Sequence, residues 1–367
     1  MRIAQVCPLS ESVPPKLYGG TERVVAFLTD ELVAAGHHVT LFASGDSVTR
    51  AELVPCAPRG LRFDQGCLDP IAPHVLMIEE VVRRAADFDL VHFHVGYLHF
   101  PVMRRLGIAR VTTVHGRLDI PDLQTIYRGF PDEPLVSISD AQRSPLPAVG
   151  WQGTVWNGLP AGQLSFHPGP GQYLAFLGRI SPEKRPDRAI EIAERVGMPL
   201  KIAAKVDRVD EAYFAATIKP LLDHPLVEFV GEIDEQRKDE FLGNAAALLF
   251  PVDWPEPFGL VMIEALACGT PVVAFACGSV PEVMHDGLSG FVVSSVDEAV
   301  AAVPRALALP RERCRAYFED RFTASRMAAA YVRIYEKMIA RERHRRAAQT
   351  ATAGGGEELA GTSAAGG

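Results

Sequence analysis

The sequence is poor in the features that would tie it to a membrane, an oxidising compartment, a metal or a nucleic acid. No apolar run in its 367 residues approaches the roughly 18 needed to cross a bilayer. The opening stretch Ile3, Ala4, Gln5, Val6, Cys7 is broken at once by Pro8, too early for a signal peptide. The six cysteines (Cys7, Cys56, Cys67, Cys268, Cys277, Cys314) include no Cys-x-x-Cys and no histidine at metal-ligand spacing. They predict reduced thiols in a cytoplasmic protein, with Cys7 and Cys268 filling core, and they support no zinc site. Positive charge is short too. Lys and Arg total 37 against 45 Asp and Glu, a formal net charge of -8, which excludes a broad electrostatic surface for nucleic acid. Any phosphate must then be held by a few local cations. No exposed basic amphipathic helix stands out in the first half, so membrane docking is not supported. No Gly-x-Gly-x-x-Gly follows the first apolar run, which argues against a dinucleotide-dependent dehydrogenase.

What the sequence does contain is a long alternation of short β-rich runs with helical periodicity. At roughly 150 residues per domain, the length predicts two domains and a tail, and 48% hydrophobic residues suffice for ordinary cores. Strands are predicted at 3–7, 39–43, 90–95, 111–114 and 135–138. A helix over 22–35 places Val24, Phe27, Leu28 and Leu32 on one face and stops at Gly36. The Pro- and Gly-rich stretch 160–171 reads as a hinge or linker. Beyond it the alternation restarts, with strands at 173–177, 200–204, 227–230, 247–250, 271–275 and 291–293 and helices at 186–196, 210–222, 235–243 and 258–268. A last helix is predicted over 324–343, with Met327, Tyr331, Ile334, Tyr335 and Met338 at turn spacing. The expected division is 1–165, 166–320, a C-terminal helix in 321–346, and a disordered Ala/Gly/Thr/Ser-rich tail 347–367. The fold class is α/β, two Rossmann-like doubly wound units whose facing carboxyl ends leave a cleft for ligand.

Chemistry concentrates in a few loops. Asp253-Trp254-Pro255-Glu256-Pro257-Phe258-Gly259-Leu260 leaves a strand and opens a helix that continues to Cys268-Gly269-Thr270-Pro271. Free N–H groups at that helix start make an anion site. A carboxylate at Glu256 would be repelled by phosphate, so it suits sugar hydroxyls beside one. Glu264, eight positions on, suits ribose hydroxyls. The segment resembles the Glu-x7-Glu signature of family 4 retaining glycosyltransferases, which have the GT-B fold. The resemblance implies that Glu256 orients a donor sugar, that the N–H groups of Phe258, Gly259 and Leu260 contact sugar and diphosphate, and that Glu264 holds the ribose.

Other motifs agree in order along residues 1–345. Gly178-Arg179-Ile180-Ser181-Pro182-Glu183-Lys184-Arg185 offers a planar fork at Arg179 and a point charge at Lys184. It resembles the family's Gly-Arg…Lys-Gly loop, in which both cations stabilise the departing diphosphate; the family's glycine after the lysine is Arg185 here. Gly19-Gly20-Thr21-Glu22 resembles the first-domain Gly-Gly-x-Glu loop that approaches donor phosphates and acceptor. Thr112-Thr113-Val114-His115 ends a strand, and the resemblance puts His115 at the donor sugar near the reaction centre. Arg117, paired with Asp119 or facing the acceptor, joins Glu22, His94 and Tyr97 as acceptor-side candidates, with His99 just beyond. Asn157-Gly158 resembles the family's Asn-Gly at the domain junction. At Lys205 and Asp207 the family commonly has glycines, so the resemblance carries no nucleobase or donor specificity. Asp87-Phe88-Asp89 reads as a solvated turn, and the His92/His94 pair reads as packing rather than a metal site.

The resemblance implies a first domain on the acceptor side, a second domain binding a nucleotide sugar, and a final helix returning to the first. It further implies a metal-independent, retaining transfer of a hexose from a nucleotide-diphosphate sugar to an acceptor hydroxyl. No other cofactor is required, and the acceptor class stays open among glycan, lipid-linked and small-molecule alcohols. A GT-B epimerase or phosphorylase would share the architecture. The first needs a carboxylate pair, the second a lysine for pyridoxal phosphate, and a non-catalytic nucleotide-sugar binder is a third alternative.

Overall fold

Short apolar runs buried on both faces pair as parallel strands once helices cover them. The computed structural model describes residues 1–17 and 19–354. Among them, β1 (Arg2–Val6), β2 (His38–Ser44), β3 (Glu52–Ala57), β4 (Leu90–Phe93), β5 (Arg110–Val114), β6 (Leu135–Ser137) and β7 (Trp151–Thr154) form one parallel sheet in the order 3-2-1-4-5-6-7. A second parallel sheet contains β8 (Tyr173–Ile180), β9 (Leu200–Val206), β10 (Val227–Gly231), β11 (Ala245–Phe250), β12 (Val272–Phe275) and β13 (Gly290–Val293), in the order 10-9-8-11-12-13. Each order reverses beside its first strand, the switch point outside which open α/β sheets bind ligands. This is the doubly wound pair that the alternation predicts.

Period-two alternation sorts the first sheet's side chains. Ala4, Val6, Phe42, Val91 and Phe93 form one apolar core. Ile3, Leu90 and Val111 face the opposite side, under α1 (Gly20–Ala34) and the C-terminal helix. Gly36, just past α1, takes the left-handed φ of 83° that ends a helix cheaply. In the second sheet, Leu174, Phe176 and Ile202 pack on Ala189, Ile190 and Ala193 of α2 (Pro186–Val196). On the other face Ala175, Ala203 and Leu248 meet α3 (Glu235–Gly243) and α4 (Leu260–Ala267) through Phe241, Met262 and Leu266.

The chain crosses between the sheets twice in one place. Leu159 N–H donates to Phe322 at 2.9 Å, and Ala324 N–H donates back to Leu159 at 2.7 Å. From there α5 (Ala324–Gly354) packs against α1, β4 and β5, so the C-terminal helix lies on the first sheet. It continues through 347–354, which composition places in a disordered tail; a run rich in alanine, the strongest helix former, extends an existing helix without a new nucleus. The rest of that tail, 355–367, and Tyr18 of the Gly-Gly loop lie outside the described residues. The helix expected over 210–222 is instead a 3-10 turn, one α turn, a π turn at Phe214–Ile218 and a 3-10 turn at Lys219–Asp223. Pro220 lacks the N–H that an unbroken α ladder needs there. No helix among the described residues is long and apolar enough to cross a membrane.

Candidate active site

A cleft of about 590 Å³ opens between the carboxyl ends of the two sheets. Its first-sheet wall comes from the loop after β1, the start of α1 and the residue after β5. Its second-sheet wall comes from the ends of β8, β9 and β11 and the start of α4. Gly19, Gly20, Glu22, His115, Arg179, Lys184, Glu256, Phe258, Gly259, Leu260 and Glu264 all line it.

On the second-sheet wall, Gly259 takes φ 80° at the N-cap of α4, a conformation that favours glycine. A Cβ there would lie 2.7 Å from Met262 Cε, so the turn needs both the conformation and the space. The turn ends the loop that follows β11 and starts α4 with its first, unsatisfied N–H groups at the cleft, which Phe258, Gly259 and Leu260 line. Gly278 supports it from behind: a Cβ would come within 2.4 Å of the Glu256 backbone, and Ser279 Oγ donates to the Phe258 carbonyl at 2.9 Å. Glu256 is buried. Trp254 Nε1 donates to its Oε2 at 2.8 Å, and Lys184 Nζ donates to the same oxygen. Lys184 also sits 4.9 Å from the Trp254 ring centroid, in cation–π range. Arg179, at the end of β8, donates to Glu183 at 2.7 Å and lies 3.6 Å from both Asp207 and Asp210. Glu264, also buried, accepts from Lys238 at 2.7 Å.

Arg185, in the place of the family's glycine, has φ 53° and ψ 51°. The left-handed conformation costs a non-glycine residue about 1–2 kcal/mol. Its guanidinium offsets that by pairing with Asp187 at 2.7 Å and Asp253 at 2.9 Å. The loop therefore keeps the backbone turn that a glycine would give while substituting a side chain.

On the first-sheet wall, a Cβ on Gly20 would lie 3.6 Å from Leu260 Cδ1, so the Gly-Gly loop faces the start of α4. Glu22 is buried in the first turn of α1, and burial pushes its carboxyl up. His115 is half-buried at the carboxyl end of β5; burial lowers its imidazole to about 4, and its Nε2 lies 2.8 Å from His94 Nδ1. Arg23 of α1 reaches across to Glu235 of α3 at 2.5 Å, and Lys238 bridges Glu235 and Glu264.

Three sequence candidates stand away from the wall. His94 is buried behind His115 and bonds Gln5 at 2.8 Å. Tyr97 lies edge-on to Tyr127, at 6.3 Å between ring centroids. Arg117 pairs with Asp119 and places its guanidinium 5.5 Å from the Trp254 ring, so it touches the site through Trp254. His99 is fully buried, stacked on Phe93 at 3.6 Å. His92 commits both ring nitrogens, to Tyr335 and Thr113. Sequence reading missed the parts played by Trp254, Lys238, Arg23 and Gln5. Trp254 sits inside the quoted motif, and its proximity to Glu256 was a usable signal. The other three act on partners distant in sequence, and nothing local marks them.

Comparison with known proteins bears on this geometry. A family model described as Glycosyltransferase Family 4 matches residues 18–145, and one described as Glycosyl transferases group 1 matches residues 165–320. The chain is 28% identical over 328 residues to a phosphatidyl-myo-inositol mannosyltransferase of Mycobacterium leprae, covering 82% of this chain and 86% of that protein. It is 29% identical over 382 residues to a D-inositol 3-phosphate glycosyltransferase of Mycolicibacterium smegmatis, covering 88% of each. Among solved structures it is similar to AviGT4, a glycosyltransferase involved in avilamycin A biosynthesis, with TM-score 0.71 and 25% identity over 92% of this chain and 98% of that one. With two doubly wound units, a C-terminal helix and both halves matched in order, this chain belongs to the GT4-type glycosyltransferases of the GT-B fold.

Proposed function

We propose that this glycosyltransferase moves a hexose, with retention and without a metal ion, from a nucleotide-diphosphate sugar to an acceptor hydroxyl. The observation that carries the reading is convergence: Arg179, Lys184, the buried carboxylates of Glu256 and Glu264 and the half-buried imidazole of His115, drawn from both sheets, line one cleft beside a helix N-terminus. Arg179 and Lys184 neutralise the leaving diphosphate, and the α4 N–H groups at Phe258, Gly259 and Leu260 share that charge. Glu264 takes the ribose hydroxyls. Glu256 orients the sugar, which His115 contacts from the other wall.

Lys184 donates to Glu256 across the wall of the cleft. A diphosphate competes for Lys184, while Trp254 goes on holding Oε2 and so keeps Oε1 of Glu256 aimed at a sugar hydroxyl. The charged wall is fixed before the bond breaks, so little reorganisation is needed as negative charge develops on the leaving oxygen. The acceptor hydroxyl attacks from the face the diphosphate leaves, through an oxocarbenium-like state, which calls for no covalent enzyme intermediate. Inositol-based alcohols, the acceptors named for the two mycobacterial relatives, are the first to assay. The domain division stays as proposed from sequence, 1–165 and 166–320 with the returning helix in 321–346.

Arg179→Ala and Lys184→Met test the assignment. Each should lower turnover about a hundredfold, some 3 kcal/mol of lost transition-state stabilisation, while circular dichroism stays native. Near-normal turnover in either refutes it. Turnover should also survive EDTA; complete loss restored by manganese would overturn the metal-independent part.

A further inference from the structure

Beneath α5, the first sheet holds a line of polar side chains where its neighbours are apolar. Gln5 of β1, His92 of β4, His94 just after it, Thr113 of β5, and Tyr331 and Tyr335 of α5 are all buried. Their hydrogen bonds join end to end. His115 Nε2 to His94 Nδ1 is 2.8 Å, His94 Nε2 to Gln5 Oε1 2.8 Å, and Gln5 Nε2 to Tyr335 Oη 3.1 Å. From there Tyr335 Oη to His92 Nδ1 is 2.7 Å, His92 Nε2 to Thr113 Oγ1 2.7 Å, and Thr113 Oγ1 to Tyr331 Oη 2.9 Å. One end is the cleft histidine and the other the C-terminal helix.

Such a chain has a direction. Burial pushes the His92 and His94 imidazoles well below their usual value and His115 to about 4, so all three are neutral at neutral pH. A neutral imidazole has one donor and one acceptor nitrogen. The Gln5 carboxamide turns its oxygen to His94 and its NH2 to Tyr335, so His94 carries its proton on Nε2 and accepts at Nδ1. His115 must then donate from Nε2. Each later link follows: Tyr335 donates to His92, and His92 donates to Thr113. Turning the Gln5 amide over would reverse every link as far as His92 and move the His115 proton to Nδ1.

We propose that Gln5, His94 and Tyr335 are positioning residues that fix which nitrogen of His115 carries its proton, leaving Nδ1 as a hydrogen-bond acceptor for a hydroxyl of the donor sugar. The proposal rests on the transferase reading above for the identity of that hydroxyl, but not for the tautomer. A ring nitrogen's state is set by what its partner nitrogen bonds. Here the run of hydrogen bonds is anchored on α5, so the C-terminal helix helps to define the first-sheet wall of the cleft.

Long-range 15N–1H correlation spectra of the histidine-labelled full chain read the tautomer directly, with His115→Gln identifying the resonances by their loss. The wild type should show His115 protonated at Nε2 and bare at Nδ1, in one form. Gln5→Leu removes the acceptor for His94 Nε2, and Tyr335→Phe removes the acceptor for the Gln5 amide and lets it turn. Both should give mixed or reversed His115 signals. Each should also lower kcat about tenfold with the donor KM changed less than about twofold, the pattern of an outer partner that orients a functional histidine. Where one variant fails to fold, the wild-type spectrum and the other variant still decide. A wild-type His115 protonated at Nδ1, or a single unchanged tautomer in every folded variant, overturns the proposal. The stated tautomer supports it even if no sugar transfer is detected, a result that would count against the transferase reading alone.

Discussion

Lys184 and Glu256 come from loops 72 residues apart and meet with little exposure, about 16% and 9% of their side chains. Removing one member of such a pair strands the other charge, at a cost of about 3 kcal/mol, whereas removing both can be nearly neutral. Stability and catalysis should therefore separate. Lys184→Met and Glu256→Gln should each lower the unfolding free energy, and the double variant should recover most of that loss. Activity should stay low in all three, because a proposed donor contact is missing in each. Urea titration beside initial rates makes the comparison; a double variant no more stable than the singles would mean that the pair does not stabilise the fold. Trp254 donates to the same Glu256 oxygen and tempers the single Lys184 loss. Gly259→Ala is a second residue-scale case. It forces a Cβ into φ 80° within 2.7 Å of Met262 Cε. It should cost at least about 1 kcal/mol and weaken donor binding, measured as a lower melting temperature and a smaller donor-induced rise.

At the scale of elements, the sheet face under α5 should be sensitive to acid. His92, His94 and His115 have folded-state values depressed by burial, and an unfolded imidazole sits near 6.5. The unfolded chain thus binds more protons below about 6.5, and stability rises with pH there. These groups leave stability intact above that value and erode it as pH falls toward 4, by about 1.4 kcal/mol per pH unit for each imidazole that must charge on unfolding. Urea midpoints taken at about pH 7 and about pH 5.5 should fall on acidification, with net proton uptake on unfolding; an unchanged midpoint contradicts the buried, neutral state. The same elements show what sequence can and cannot reveal. Central strands such as β1, β5 and β11 are legible because burial on both faces demands an apolar run. β3 and β7 are not: they edge their sheet, are only partly buried, and contain Pro55 and Gly153. The cleft residues are legible because each motif is local to one strand-to-helix loop. The hydrogen bond from Gln5 to Tyr335 spans 330 residues, and no window of sequence contains it.

For the whole molecule, the cleft is bridged at several points by contacts between the two sheets' walls. Arg23 pairs with Glu235 at 2.5 Å. Glu282 accepts from the backbone N–H groups of Asp140 at 2.7 Å and Ala141 at 2.5 Å, and Arg117 lies over Trp254. Because the proposed donor contacts come from both walls, only the closed arrangement assembles them, and water exclusion requires the same closure. These bridges are polar, and each has a side chain partly open to water, so they bias closure without locking it. Glu282 is the cleanest to remove, since it touches backbone on the far side and lines no part of the cleft. Losing its two charge-assisted bonds should cost about 1.4 kcal/mol or more of closure free energy, a tenfold shift toward the open form. Binding that needs the closed form weakens by up to the same factor, so Glu282→Ala should raise the donor KM several-fold while kcat at saturation falls less. Solution scattering should show a larger radius of gyration for free Glu282→Ala than for free wild type, with saturating donor bringing the two together. Equal radii with an unchanged KM would mean that closure is fixed elsewhere in the interface, and Arg23→Ala, which cuts the other charged bridge, is then the variant to measure.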